Sequence, residues 1–291
     1  MTTHPFYIVD VFAVEKYAGN QLAVVMDAAD ISDETMQRIA QEMNYAETTF
    51  VLSNQIRDGG YDVRIFTPAV EVPFAGHPTL GTAYIIREKI IGQAVETVIL
   101  NFKVGQIRVT FADDGVIWMR QNPPTFGKKY DRTATAEVLG IGVDDIDDRF
   151  PVQEVSTGLP FIIVPIKTLD AMKQARIDVR KLRTFIEGGE AMTIAAFCPQ
   201  TYHDENDINV RVFADLFNIP EDPATGSANG CLSGYLVKYR YFDRDSIAIR
   251  AEQGYEIKRR SLLLHRSANR GDDIEINIGG RVIPIASGEL F

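Results

Sequence analysis

One strand-like motif occurs twice in this chain, and that repeat restricts the fold before composition does. Residues 63–73 read V-R-I-F-T-P-A-V-E-V-P and residues 210–220 read V-R-V-F-A-D-L-F-N-I-P, at an offset of 147. Val, Arg, Phe and Pro coincide at four of the eleven positions, and Ile and Val exchange at two more. The same offset relates Phe50 in Thr48-Thr49-Phe50 to Phe197 in Ala195-Ala196-Phe197. After the shared proline each copy enters a glycine-led helix start, Gly76-His77-Pro78-Thr79 and Gly226-Ser227-Ala228-Asn229, with three residues inserted in the second. Matching flanks on both sides point to a duplicated unit, so the architecture has to accommodate two related halves.

The two helices share a further property. From Gly76 the first charge is Arg87, and from Gly226 it is Lys238. A helix apolar on every side has to be enclosed, because no face of it suits water. Segments 61–66, 98–102, 107–111, 161–166, 209–213, 246–250 and 274–278 alternate apolar and polar residues as strands do. The expected fold is α+β, with two pseudo-symmetric lobes, each a mixed sheet or barrel wrapped around a central apolar helix. At 291 residues the chain exceeds what one core comfortably serves. Pro-Pro and Gly interrupt both periods over 121–127, which places the join there. The first lobe is expected over 1–122, with the terminal strand 281–291 returning to it, and the second over 123–280.

Charge and cysteine usage narrow the class. The net charge of −10 repels polyanions, and nucleic-acid binding needs a Lys/Arg surface. The basic run Lys258-Arg259-Arg260 is too short for that and reads as a turn or strand edge. The first residues lack the basic and apolar regions of a secretory signal, and no uncharged apolar run reaches membrane-spanning length. Two cysteines, Cys198 and Cys231, make no disulfide framework or thiolate metal site. The expectation is a cytoplasmic protein acting on a small anionic molecule, without nucleic-acid or membrane partners.

Each helix start presents backbone N–H groups and a positive dipole end, a setting for a carboxylate or oxyanion. A glycine at such a turn also has purely conformational explanations. Glu47 has Ile194 as its equivalent at the same offset, so the carboxylate sits in one half only. Beside Tyr45, Ala46 and Phe50 it reads either as a partly desolvated general base or as a solvated residue at a strand start. His77, at a helix N-terminus, reads as a neutral hydrogen-bonding group or as a structural cap. Asp222 reads as a site carboxylate or as an Asx-Pro turn former, and Ser227 as a site hydroxyl or an N-cap. Signatures of serine hydrolases, P-loop enzymes, zincins and Rossmann dehydrogenases are missing, and the histidines at 4, 77, 203 and 265 show no ligand spacing.

Seven stretches resemble the signature of the PhzF-like family of phenazine biosynthesis. They are Asp10-Val11-Phe12, Gly19-Asn20-Gln21-Leu22-Ala23-Val24, Ala46-Glu47-Thr48-Thr49-Phe50, Gly76-His77-Pro78-Thr79-Leu80-Gly81, Ser156-Thr157-Gly158, Asp222-Pro223-Ala224-Thr225-Gly226-Ser227-Ala228 and Glu252-Gln253-Gly254. The resemblance implies the diaminopimelate-epimerase-like fold and an isomerase needing no metal or organic cofactor. It implies Glu47 as the group that takes a proton from one carbon and returns it to another, in a cleft between the lobes. His77, Asp222 and Ser227 fall on family positions that orient or protonate the substrate. Gly76, Gly226, Asn20, Pro78 and Ala228 fall on positions that line the site, and a homodimer is the family expectation. Related epimerases use one cysteine per lobe, but the first helix start here has none, and both cysteines read as small core residues. The family's Gly-Arg-Pro-Ser turn is replaced by Lys258-Arg259-Arg260-Ser261, which leaves that turn open. Two other classes compete: a binding protein that kept the cleft without the chemistry, and a metal-assisted hydrolase using His77, Asp222 and His203.

Overall fold

The computed structural model describes residues 3–217 and 219–291. The described chain divides into two compact units, 1–120 with 279–291, and 121–278. Among the described residues no helix is long and apolar enough to cross a membrane.

Unit 1 carries strands β1 (His4–Val11), β2 (Asn20–Val25), β3 (Glu47–Val51), β4 (Tyr61–Phe66), β5 (Glu71–Val72), β6 (Thr97–Phe102), β7 (Gly105–Phe111) and β8 (Ile117–Gln121), with helices α1 (Asp33–Met43) and α2 (Gly76–Ile85). Unit 2 carries β9 (Thr125–Tyr130), α3 (Arg132–Leu139), β10 (Val152–Ser156), β11 (Pro160–Pro165), α4 (Leu169–Gln174), α5 (Val179–Phe185), β12 (Ile194–Cys198), β13 (Ile208–Ala214), β14 (Ile219–Asp222), α6 (Gly226–Lys238), β15 (Ser246–Gln253) and β16 (Ser261–Asn269). The chain closes with β17 (Ile274–Gly280) and β18 (Val282–Leu290), and β18 pairs antiparallel with β1.

One pairing order runs through both units. In unit 1, β2 and β3 are parallel, β3 and β4 antiparallel, β4 and β5 antiparallel, β4 and β6 parallel, and β6 and β7 antiparallel. In unit 2 the same sequence of directions joins β11, β12, β13, β14, β15 and β16. The helix falls at the same step each time, α2 after β5 and α6 after β14.

The repeated arginine explains itself here. Arg64 on β4 donates to both carboxylate oxygens of Glu71 on β5, at 2.8 and 2.9 Å, and Arg211 on β13 does the same to Glu221 on β14, at 3.1 and 2.6 Å. The registers agree, Ile65 facing Val72 and Val212 facing Asp222. The three extra residues of the second copy therefore precede Glu221 instead of following the proline. Pro73 corresponds to Pro223, and its match with Pro220 in the sequence is a coincidence of spacing. Val72 and Asp222 are then equivalents, as are His77 and Ser227.

Both charge-free helices are enclosed, all of α2 being buried except Tyr84 and all of α6 except Lys238. Each packs on strands of its own unit, α2 on β1, β2 and β3, α6 on β10, β11 and β16. Gly81 shows how close that packing is, because a Cβ there would lie 2.6 Å from Leu22 Cδ2 and 2.9 Å from Val11 Cγ2. α1 is amphipathic, capped by Ser32 accepting from the Thr35 N–H at 3.2 Å, and it covers Val25, Phe50 and Phe66 with Met36 and Ala40. The interruption expected across 121–127 is shorter than Gly127 suggested. β9 begins at Thr125 and runs through that glycine at a register shift against β10, where a Cβ would approach Glu154 Oε1 to 2.8 Å.

Candidate active site

In unit 1 the sequence-selected residues gather at the start of α2. Glu47 opens β3 in register with Leu22 on β2, and its side chain keeps 19% exposure. Its Oε2 lies 3.4 Å from His77 Nε2. The ring of His77 is 6% exposed and hydrogen-bonds the Gln21 backbone. Nε2 has no hydrogen-bond partner of its own, so that bond belongs to Nδ1. A bond that favours the charged ring is one donated to a carbonyl, which fixes the Nδ1–H tautomer and leaves the Nε2 lone pair unused near Glu47. Burial dominates and pushes the imidazole down to about 3. The ring is thus neutral, as the sequence indicated, but through desolvation instead of the helix dipole. It caps nothing: the N-cap residue is Ala75, and no side chain caps α2.

Asn20 opens β2 beside Val11 and is buried, while Gly76, His77 and Pro78 form the buried first turn of α2. Neither Gly76 nor Gly226 has a positive φ, so backbone conformation does not demand glycine at either position.

In unit 2, Asp222 ends β14 and accepts a short hydrogen bond from Thr225 Oγ1. Thr225 is the N-cap residue of α6, which leaves Ser227 one turn position inside the helix, not capping it. Ser227 and Ala228 are buried. Gln121 braces this turn by donating to Gly226 O at 2.8 Å, and its Oε1 accepts from Thr157 Oγ1 at 2.8 Å. That is the task of the threonine in Ser156-Thr157-Gly158, and Gly230 leaves room for the glutamine.

The Glu252-Gln253-Gly254 stretch has three separate tasks. Glu252 accepts from the N–H groups of Tyr202 and His203 at 2.8 and 2.9 Å, Gln253 bonds Thr225 and Asn229, and Gly254, at φ +77°, approaches Arg259 and Pro223 too closely for a side chain. The Lys258-Arg259-Arg260-Ser261 turn closes on its own backbone, Arg259 N donating to Gly254 O at 2.9 Å and Lys258 N to Tyr255 O at 3.1 Å. His203 belongs to this corner, its ring against Tyr255. Among the described residues no three His, Cys, Asp or Glu side chains cluster so as to hold a metal ion. Burial pushes both thiols, Cys198 and Cys231, up to about 12, so each is protonated at neutral pH. Sequence reasoning missed Thr225, Asn229, Gln253 and His265 as partners; the cue was a buried helix start carrying amide and hydroxyl residues.

Residues 9–288 match the family described as phenazine biosynthesis-like protein, PhzC-PhzF. The chain belongs to this family. A trans-2,3-dihydro-3-hydroxyanthranilate isomerase of Pseudomonas aeruginosa is 31% identical, with 99% of each chain covered. A Mesorhizobium japonicum protein named as an uncharacterised isomerase is also 31% identical over the whole of both chains. The crystal structure of the PhzF-family phenazine biosynthesis protein of Bacillus anthracis superposes with a TM-score of 0.89 at 29% identity, covering all of both chains. This PhzF-family chain is an isomerase with a mixed, sheet-rich α/β fold.

Proposed function

We propose that this isomerase moves a proton between two carbons of a small carboxylate-bearing molecule, with Glu47 as general base and with no metal or organic cofactor. Each unit is read as a lobe built around its own apolar helix, and residues of both helix starts are assigned to the reaction. The observation that carries the reading is the Glu47 carboxylate 3.4 Å from a buried, neutral His77 at the uncapped start of α2.

That arrangement suits a returning proton. The Glu47 carboxylate takes the proton from one carbon, the electron pair moves into the adjacent π system, and the protonated acid delivers the same proton to the second carbon. Composition is unchanged, as an isomerisation requires. While Glu47 carries the proton, the Nε2 lone pair of His77 accepts its O–H, and a ring this buried does not compete to become charged. The N–H groups at Gly76 and Gly226 are assigned to the substrate carboxylate, Asp222 and Ser227 to its other polar groups, and Asn20, Pro78 and Ala228 to the walls. By family analogy the working form is a cytoplasmic homodimer.

The compound named for the Pseudomonas aeruginosa relative, trans-2,3-dihydro-3-hydroxyanthranilate, is the first probe. Proton NMR of its conversion in D2O should show turnover by the wild type and a rate about 10²- to 10⁴-fold lower for Glu47→Gln, the usual contribution of a positioned acid or base. Equal rates for the two proteins would remove Glu47 from the chemistry.

A further inference from the structure

The start of α6 holds a chain of polar side chains whose direction is fixed by three backbone groups. Asn229 Nδ2 donates to the Thr225 carbonyl at 3.0 Å, so the amide nitrogen of Asn229 is placed without ambiguity, and its second N–H reaches Gln253 Oε1 at 2.8 Å. Gln253 Oε1 also accepts from the Thr225 backbone N–H at 3.2 Å, while its Nε2 donates to the Asp222 carbonyl at 2.9 Å. A backbone N–H only donates and a carbonyl only accepts, so neither amide can be turned over. The remaining contacts then have one sense. Asn229 Oδ1 accepts from His265 Nε2 at 2.9 Å, and Gln253 Nε2 donates to Thr225 Oγ1 at 3.0 Å. The threonine hydroxyl, its lone pair engaged, gives its proton to Asp222 Oδ2.

We propose that His265, Asn229, Gln253 and Thr225 form a one-way hydrogen-bond relay that holds Asp222 as an ionised acceptor and fixes its rotamer. This deepens the reading of Asp222 as a site residue and rests on it: the carboxylate serves by accepting from substrate, not by donating a proton. The four are positioning residues. A carboxylate that accepts a hydrogen bond is favoured in its charged form, and consecutive bonds of one sense in a dry interior polarise one another.

Burial supports the assignment. Asn229 and Gln253 are fully buried and His265 is 1% exposed. Nδ1 of His265 is buried without a hydrogen-bond partner, so protonating it would bury an N–H with no acceptor, and desolvation pushes the ring down to about 3. The neighbouring charges are engaged elsewhere, Glu221 with Arg211 at 2.6 Å and Glu252 with the N–H groups of Tyr202 and His203. A core polar chain of this length is costly unless every bond in it is made, and it leads to one carboxylate.

Carbon-13 carboxyl NMR on the ligand-free protein tests the relay, with the Asp222 resonance assigned from Asp222→Asn. Thr225→Val preserves the side-chain shape and removes the donated proton. The Asp222 pKa should rise by about one unit in that variant and return in Thr225→Ser. An unchanged pKa in Thr225→Val overturns the proposal. If that variant does not fold, nitrogen-15 histidine spectra of the wild type decide. His265 as the neutral Nε2–H tautomer at pH 5 supports the relay, and the Nδ1–H tautomer or a charged ring at that pH overturns it. These readings are made without substrate, so they stand apart from the role of Asp222 in turnover, which the activity of Asp222→Asn reports.

Discussion

His77 and His265 are two imidazoles whose protonation the interior opposes, and stability should record it. Each is pushed from the ordinary histidine range down to about 3 by burial. In the unfolded chain each titrates near ~6.5. Above that pH both states hold the ring neutral and no penalty arises. As pH falls from about 6.5 toward 3, the unfolded state takes up protons that the folded state refuses, so stability drops by on the order of 1.4 kcal/mol per pH unit for each ring. Denaturant titrations between pH 7 and pH 4 should show this loss, and His77→Asn should remove one ring's share of the slope; an unchanged slope would mean that the ring takes up its proton in the fold as readily as in the unfolded chain. At this scale the sequence was partly legible. It marked His77 as neutral, because a helix start argues against charge, but it attributed the effect to a dipole where full burial is the stronger cause. His265 was invisible, since a lone histidine in an alternating strand carries no sign of the Asn229 it meets from another element.

The elements were read more completely than their joints. Alternation located β4 at its observed bounds and β6, β7, β11, β13, β15 and β17 to within a few residues; β4 and β6 have one buried and one half-covered face, whereas β13 is buried throughout and β11 nearly so. The absence of charge found α2 and α6 because both are enclosed on every side. The four other helices went unread. α3, α4 and α5 are short, and the starts of all four depend on single caps at Ser32, Asp131, Thr168 and Asp178, a weak signal in isolation. The repeat was found but its gap misplaced, since only pairing across strands shows that Arg64 with Glu71 and Arg211 with Glu221 are the same feature. Those pairs differ in burial, the second at 3% and 5% side-chain exposure against 21% and 15% for the first. Arg211 also donates to the carbonyls of Met172 and Ala175. Arg211→Met should therefore cost about 3 to 5 kcal/mol, stranding a buried carboxylate, whereas Arg64→Met should cost on the order of 1. Urea denaturation of the two variants measures the difference, and equal losses would show that the duplicated pair is not more enclosed in unit 2.

For the molecule as a whole, duplication supplies two similar frames and divergence supplies the chemistry. The acid of β3 in unit 1, Glu47, has Ile194 opposite number in unit 2, while the acid of β14 in unit 2, Asp222, replaces Val72 of unit 1. At these paired positions each half carries a carboxylate where the other has an apolar residue, Glu47 against Ile194 and Asp222 against Val72. A crystal structure of the protein with benzoate, a minimal aromatic carboxylate, tests the proposed site most directly. Benzoate is expected with its carboxylate on the backbone N–H groups at Gly76 and its ring beside Glu47. Benzoate bound only elsewhere, with the Glu47 carboxylate directed into open solvent, would contradict it.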